Sequence, residues 1–257
     1  MRLLTVARDL QRRHARERHG LFVAEGVRAV EELLRSTITI RGALAASSAS
    51  ERERDHAVLV TLRERGIPIQ EVTGAEFASA ADTETPQGIL AIAEVPKYTL
   101  AAPTPKLPFR LLVLDAVQDP GNVGTIIRTA TALAADAVLA LPGTVDLWNA
   151  KVVRSSMGAH FHHPALATTW EGLTSFLAEH EVALWAADAS GEPLGALAPD
   201  RSAVPSRLAI AVGNEGGGLS TQTRQRADKL VALEIIPTVE SLNVAVATGI
   251  MLYELRP

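Results

Sequence analysis

The chain has no cysteine. Disulfides, thiolate zinc sites and cysteine nucleophiles are therefore excluded. No apolar stretch approaches the roughly 18 uninterrupted residues of a membrane helix, and no signal-peptide core opens the chain, so a soluble cytoplasmic protein is expected. Metal ligands are scarce as well. Of the seven histidines only His160, His162 and His163 lie close together. No acid near them completes a site, so FHH reads as surface strand or loop and no metal is expected. Two glycine motifs are also missing. The apolar run FRLLVLDAV leads into DPGNVG rather than G-x-G-x-x-G, which argues against a dinucleotide enzyme. The turn GNEGGGLS has no lysine and contains Glu215, so it is not a phosphate-cradling P-loop. A glycine-lined turn beside a carboxylate suits a cationic or zwitterionic ligand; the plain alternative is a tight turn after a buried strand.

What is present begins with charge asymmetry. Apolar residues make up 47% of the 257, enough for a sizeable core, and the net charge is −4. Residues 1 to 30 nevertheless hold seven arginines against three acids, a local net of +4. Residues 5 to 19 read as one basic helix ended by Gly20, with Arg8, Arg12, Arg16 and His19 on a single stripe and Arg13 and Arg18 adding to it. A basic arm on an acidic body is the pattern of a polyanion-binding protein, with a solvated helix face as the plain reading. The five arginines Arg8, Arg12, Arg13, Arg16 and Arg18 are the candidate polyanion contacts.

Hydrophobic periodicity divides the chain in two. In residues 1–95, LFVAEG, TITIRGALA, IPIQEV and GILAIAEV read as strands, with helices between them. Residues 96–108 are proline- and alanine-rich without periodicity and read as a linker. Residues 109–257 alternate strand and helix, and FRLLVLDAV is apolar throughout, as in a strand covered on both faces. Such alternation predicts a parallel sheet whose ligands bind beyond the carboxyl ends of strands. Three loops qualify. The first holds Asn122, with Arg128 further along its helix. The second holds Gly213, Asn214 and Glu215. The third holds Glu240, Ser241 and Asn243, with Ser241 as the cap of a final helix. That helix is apolar on nearly every side and is expected to be buried in a core or against a partner.

The stretches LDAVQDPGNVGTIIRTA, AIAVGNEGGGLS and VESLNVAVATGI resemble, in order and spacing, the three motifs of the SpoU/TrmH family of RNA 2′-O-ribose methyltransferases, in the SPOUT superfamily. GLFVAEGVRAVEELL and TPQGILAIAEV resemble the family's N-terminal RNA-binding domain, itself related to a ribosomal protein. The resemblance implies an α/β fold with a C-terminal trefoil knot, S-adenosylmethionine as cofactor, and a homodimer. It implies methylation of a ribose 2′-hydroxyl, with ribosomal RNA (23S-type) expected ahead of tRNA. A catalytically silent RNA-binding or ribosome-assembly protein on the same fold is the alternative. Carried over, Asn122, Arg128, Glu215, Ser241 and Asn243 match active-site positions, and Gly213, Asn214 and Leu242 match cofactor contacts. The third stretch departs from the pattern. Aligned without gaps, Leu233, Glu234 and Ile235 replace the usual Ile-Pro-Met and Pro237 takes a glycine's place. With a deletion, Ile236 and Pro237 match instead. The ungapped register is preferred, because a shortened loop would tighten a knot that must admit a ligand, and it makes Leu233 and Ile235 cofactor contacts.

Overall fold

The computed structural model describes residues 2–47, 49, 53–101, 106–196, 203–236 and 238–256. By contacts the chain forms two compact units. Met1–Lys97 and Trp148–His162 make the first; Tyr98–Leu147 and His163–Pro257 make the second.

In the first unit, β1 (Leu21–Glu25), β2 (Ile40–Ala46), β3 (Ile69–Val72) and β4 (Ile89–Glu94) form a four-stranded sheet in the order β1-β4-β2-β3. β4 is antiparallel to both neighbours, and β2 and β3 are parallel. Helices α3 (Val27–Arg35), α4 (Glu53–Glu64) and α5 (Gly74–Ala78) fill the connections. Thr73 and Glu76 close the start of α5 with a capping box.

The single basic helix expected at the N-terminus is two helices. α1 spans Leu3–Asp9 and α2 spans Arg13–His19. Leu4, Val6, Ala7 and Leu10 are buried in the same apolar cluster as Val23, Leu44 and Leu90, which fixes α1 on the sheet. The chain then turns through Leu10–Arg12. Arg16 is buried, and its Nη1 donates to the carbonyls of Leu10 (2.7 Å) and Gln11 (2.9 Å), which the break leaves without helical partners. The stripe through Arg8, Arg12 and Arg16 therefore does not exist. Gly20 ends α2 in the left-handed conformation, as its position suggests.

The second unit is built on β5 (Phe109–Asp115), β6 (Ala137–Ala140), β7 (Ala165–Ala167), β8 (Ala183–Pro193), β9 (Arg207–Gly213) and β10 (Lys229–Ala232), in the order β10-β8-β9-β5-β6-β7. Every pairing is parallel. β5 is buried along its whole length, which explains its unbroken apolar run. Around the sheet lie α6 (Pro120–Ala132), α8 (Trp170–Glu179), α9 (Thr221–Arg226) and α10 (Val244–Glu254). Of the stretch read as a linker, residues 102–105 lie outside the described residues, while Tyr98 and Leu100 pack on this unit's core.

One segment departs from the division seen in the sequence. Residues 148–162, including α7 (Ala150–Ser155), pack with the first unit although they follow β6. Aromatic burial accounts for it. The Trp148 ring lies 4.4 Å from that of Phe22, and Phe161 stacks on the same ring at 5.8 Å. His160 is fully buried with its ring edge-on to Trp148 at 3.9 Å, and in FHH Phe161 and His163 are buried while only His162 is exposed, so the stretch is not a surface one. Burial holds the neighbouring His163 neutral, with its pKa lowered to about 4.

Trp148→Ala should destabilise the protein by about 3–5 kcal/mol, as for other buried aromatics. Urea denaturation measures it; a loss below about 1 kcal/mol would show that these rings do not anchor the segment.

Candidate active site

β5 and β9 are parallel neighbours, with Asp115 opposite Gly213 at their carboxyl ends. The loops that leave these two ends meet the segment that opens α10. Asp119 caps α6, its Oδ1 accepting the amide of Asn122 at 2.8 Å, and Pro120 occupies the first turn. The Asn122 side chain then faces away from its own helix. Its Nδ2 donates to Glu215 Oε1 (3.0 Å), and its Oδ1 accepts from Asn243 Nδ2 (3.0 Å).

Asn243 has a second duty. It is the N-cap of α10, its Oδ1 accepting the amides of Ala245 (2.9 Å) and Val246 (3.3 Å). The final helix thus starts at Val244, and Asn243 performs the capping expected of Ser241. With its oxygen turned to the helix, Asn243 can only offer its NH2 group to Asn122. Asn122 must answer with oxygen and pass its own NH2 to Glu215. The direction of the chain is fixed from end to end.

Glu215 also accepts the amides of Gln118 and Asp119, both at 3.3 Å. Partial burial pushes its carboxyl up, but the hydrogen bonds from Asn122 and these amides outweigh that and hold it below the usual carboxylate range. The glycine turn that carries it is folded back on itself. Asn214 and Gly218 exchange backbone hydrogen bonds at 2.9 Å. Asn214 Oδ1 accepts the amides of Gly216 and Gly217, and its Nδ2 donates to the Ala116 carbonyl. A Cβ on Gly213 would lie 2.4 Å from the carbonyl carbon of Gly218, so no larger residue fits there.

One contributor escaped sequence reasoning. Asp115 is buried at the end of β5, where its Oδ2 accepts the amide of Ser220 (2.7 Å) and the hydroxyl of Thr223. Ser220 caps α9, so Asp115 ties the exit of the glycine turn to β5. An acid closing an otherwise apolar strand was the available signal.

The remaining candidates are dispersed. Arg128 is exposed on α6 and makes no hydrogen bond or ion pair among the described residues. Ser241 is exposed in the loop before α10, Leu233 and Leu242 are half-buried, and Ile235 is exposed. Pro237 lies outside the described residues. In the arm, Arg12 and Arg18 both bind Asp9, Arg13 binds Glu17, and Arg8 donates to Ser79. Arg16, counted among the polyanion contacts, is buried on backbone carbonyls and is withdrawn from that set.

A fully parallel α/β sheet with a polar clamp joining three loops past its strand ends defines a protein that works at that edge. Likeness to known proteins gives the class its identity. Residues 110–253 match the SpoU rRNA Methylase family, and residues 5–91 match the MRM3-like substrate binding domain. The chain belongs to the SpoU rRNA methylase family. It is 33% identical over 250 residues to the 23S rRNA (guanosine(2553)-2′-O)-methyltransferase RlmP of Bacillus subtilis, covering 97% of this chain and 94% of that one. It is 30% identical over 235 residues to the 23S rRNA (guanosine-2′-O-)-methyltransferase RlmB of Escherichia coli, covering 89% and 95%. Among solved structures, an AdoMet-bound rRNA methyltransferase from Sinorhizobium meliloti superposes with a TM-score of 0.84 at 27% identity, covering 99% and 94%.

Because its pKa is lowered on folding, Glu215 contributes stability above the usual carboxylate pKa of 4.5, and that contribution is lost as pH falls through the lowered value. Glu215→Gln should therefore be less stable than the parent at pH 7 and should converge with it below that point. Denaturation at the two pH values measures the gap; a gap that persists in acid would remove the carboxylate from the clamp.

Proposed function

We propose that this protein is an S-adenosylmethionine-dependent methyltransferase that modifies a ribose 2′-hydroxyl of ribosomal RNA. The observation that carries the reading is the Asn243–Asn122–Glu215 clamp in a chain of the SpoU family. Arg128, unpaired among the described residues, stands further along the same helix as Asn122. The relatives named above act on 23S rRNA, which supports an rRNA substrate.

The residues fit the methyl donor chemically. Glu215 is held as an anion, which complements a sulfonium charge. Exposed Ile235 and half-buried Leu233 and Leu242 offer apolar surface to an adenosyl group, and Gly213 and Asn214 offer backbone. When bound, S-adenosylmethionine supplies an electrophilic methyl group. The chain's own task is positioning, which can contribute much of the rate. Asn122, Glu215 and Asn243 hold the three loops in one arrangement, and Ser241, exposed beside them, orients the ribose. Arg128 is always protonated and so is not a base. It binds the phosphate adjoining the target ribose and stabilises the negative charge that develops on O2′.

The same reading includes a trefoil knot, a homodimer and a cytoplasmic setting. The packing of α10 on α6 and β9, and the Asn243–Asn122 bond, support a last helix drawn into the preceding loops. Val246, Ile250 and Tyr253 form an exposed apolar stripe on α10, and exposed Ile236 and Val239 precede it in sequence. A second copy of the chain covers this stripe, which is how a helix apolar on most sides is buried. The first unit, matching a substrate binding domain, engages the RNA.

Arg128→Ala should lower methyl transfer to rRNA by about 100-fold or more, while calorimetric titration with S-adenosylmethionine is unchanged. Loss of cofactor binding would refute the role given to Arg128. Ile250→Asp should convert a dimer to a monomer in sedimentation velocity; a wild-type protein that already sediments as a monomer would refute the dimer.

A further inference from the structure

The arm's arginines differ in what they do. Asp9, at the end of α1, gathers two arginines and a histidine from beyond the helix break. Its Oδ1 takes Arg12, and its Oδ2 takes Arg18 Nη2 at 2.9 Å and lies 3.4 Å from His19 Nε2. The Asp9 side chain is only 18% exposed, whereas those of Arg12 and Arg18 are 77% and 57% exposed. The acid is thus beneath and the guanidiniums above. The Arg12 guanidinium, with His19 and Arg18, holds the Asp9 carboxyl below its usual range, so it is ionised. These residues line a concavity of about 640 Å³ with Arg8, Thr5, Val6 and Gln11. Arg8 is anchored at one side by Ser79 (2.8 Å), and Gln11 by the carbonyls of Ser79 and Ala81. Arg13 does not line this concavity; it pairs with Glu17 along α2.

We propose that Asp9 is the organiser of a phosphate-binding site for the RNA backbone, in which Arg8, Arg12 and Arg18 converge on one concavity of the first unit. This rests on the RNA-methyltransferase reading and narrows it from a diffuse basic arm to a built site. Three long cationic side chains converge only if something holds them, since each loses rotamer freedom on ordering. Asp9 does so for Arg12 and Arg18 in the free protein and Ser79 does so for Arg8, and the single charge of Asp9 leaves the three arginines in net excess. Arg8, Arg12 and Arg18 touch the phosphate; Asp9 is a positioning residue acting through Arg12 and Arg18.

The sign of one substitution tests this. Asp9→Asn raises the net charge by one, so general electrostatics calls for tighter RNA binding. An organiser role calls for weaker binding. At about 0.1 M salt, each phosphate that a protein ceases to neutralise weakens binding roughly fivefold and lowers the slope of log affinity against log salt by about 0.7. Fluorescence anisotropy of the full chain with a 20-nucleotide oligouridylate should show both effects for Asp9→Asn. Binding that is unchanged or tighter overturns the proposal. A second comparison is independent of whether that variant folds. Arg12→Ala and Arg13→Ala each remove one positive charge from the same arm. Arg12→Ala should weaken binding about fivefold and Arg13→Ala less than half as much on a logarithmic scale; equal effects overturn the site. Neither measurement needs the methyl donor. Failure here leaves the activity standing, whereas failure of the wild-type protein to methylate rRNA removes the activity alone.

Discussion

Asn122 accepts from Asn243 and donates to Glu215, and the arrangement of the second unit's working edge follows from that pair of bonds. A side-chain amide has an acceptor end and a donor end, so a row of amides has a direction. Here the direction is set at both ends by groups with no choice. The first amides of α10 can only donate, and the Glu215 carboxylate can only accept. Between them two asparagines have one consistent orientation. A hydrogen bond to a charged acceptor contributes roughly 1.5–3 kcal/mol against about 1 for a neutral one, and less where exposed. The Glu215 end is accordingly the stronger. It also draws in the loop leading to α6 through the amides of Gln118 and Asp119. Three loops far apart in the chain become one surface.

Much of this organisation is legible in the sequence. The run FRLLVLD is apolar at nearly every position because β5 is covered on both faces. The strands and helices of the first half follow the hydrophobic periods, and Gly20 stands where α2 ends. What periodicity missed has identifiable causes. In Ser241-Leu242-Asn243 two good capping residues lie two apart. The choice falls to Asn243 because it can cap and also reach Asn122, a partner distant in the chain. Ala165–Ala167 is too short to show a period of two. Arg16 reads as surface charge, and nothing local says that its guanidinium will be buried on carbonyls freed by a helix break. Asp115 reads as the end of a strand, although its bonds run to Ser220 and Thr223.

Formal charge also says little about available charge. The seven arginines of the first thirty residues suggest a uniform cationic arm. In the fold Arg16 is buried and Arg13 is matched to Glu17, while Arg12 and Arg18 share the single charge of Asp9. Elsewhere in the first unit Arg35, Arg41 and Arg54 face Glu32, Glu94 and Glu31. Exposed pairs of this kind add little stability, but they remove charge from view. Arg128 makes no such pair among the described residues, as is also true of Arg2 and Arg28.

The Trp148–His162 segment bears on how the protein can be divided or recombined. The chain enters the second unit after Lys97, leaves it after Leu147 and re-enters at His163. The two units are therefore not beads joined by one thread. A fragment cut at the proline-rich stretch would carry Trp148 and Phe161 without Phe22, the ring they are built to cover. A chimera that exchanged the first unit for that of a relative would have to move the whole Trp148–His162 segment out of the middle of the second unit's sequence with it. The boundary between the two units crosses the chain at three points, so no single cut separates them.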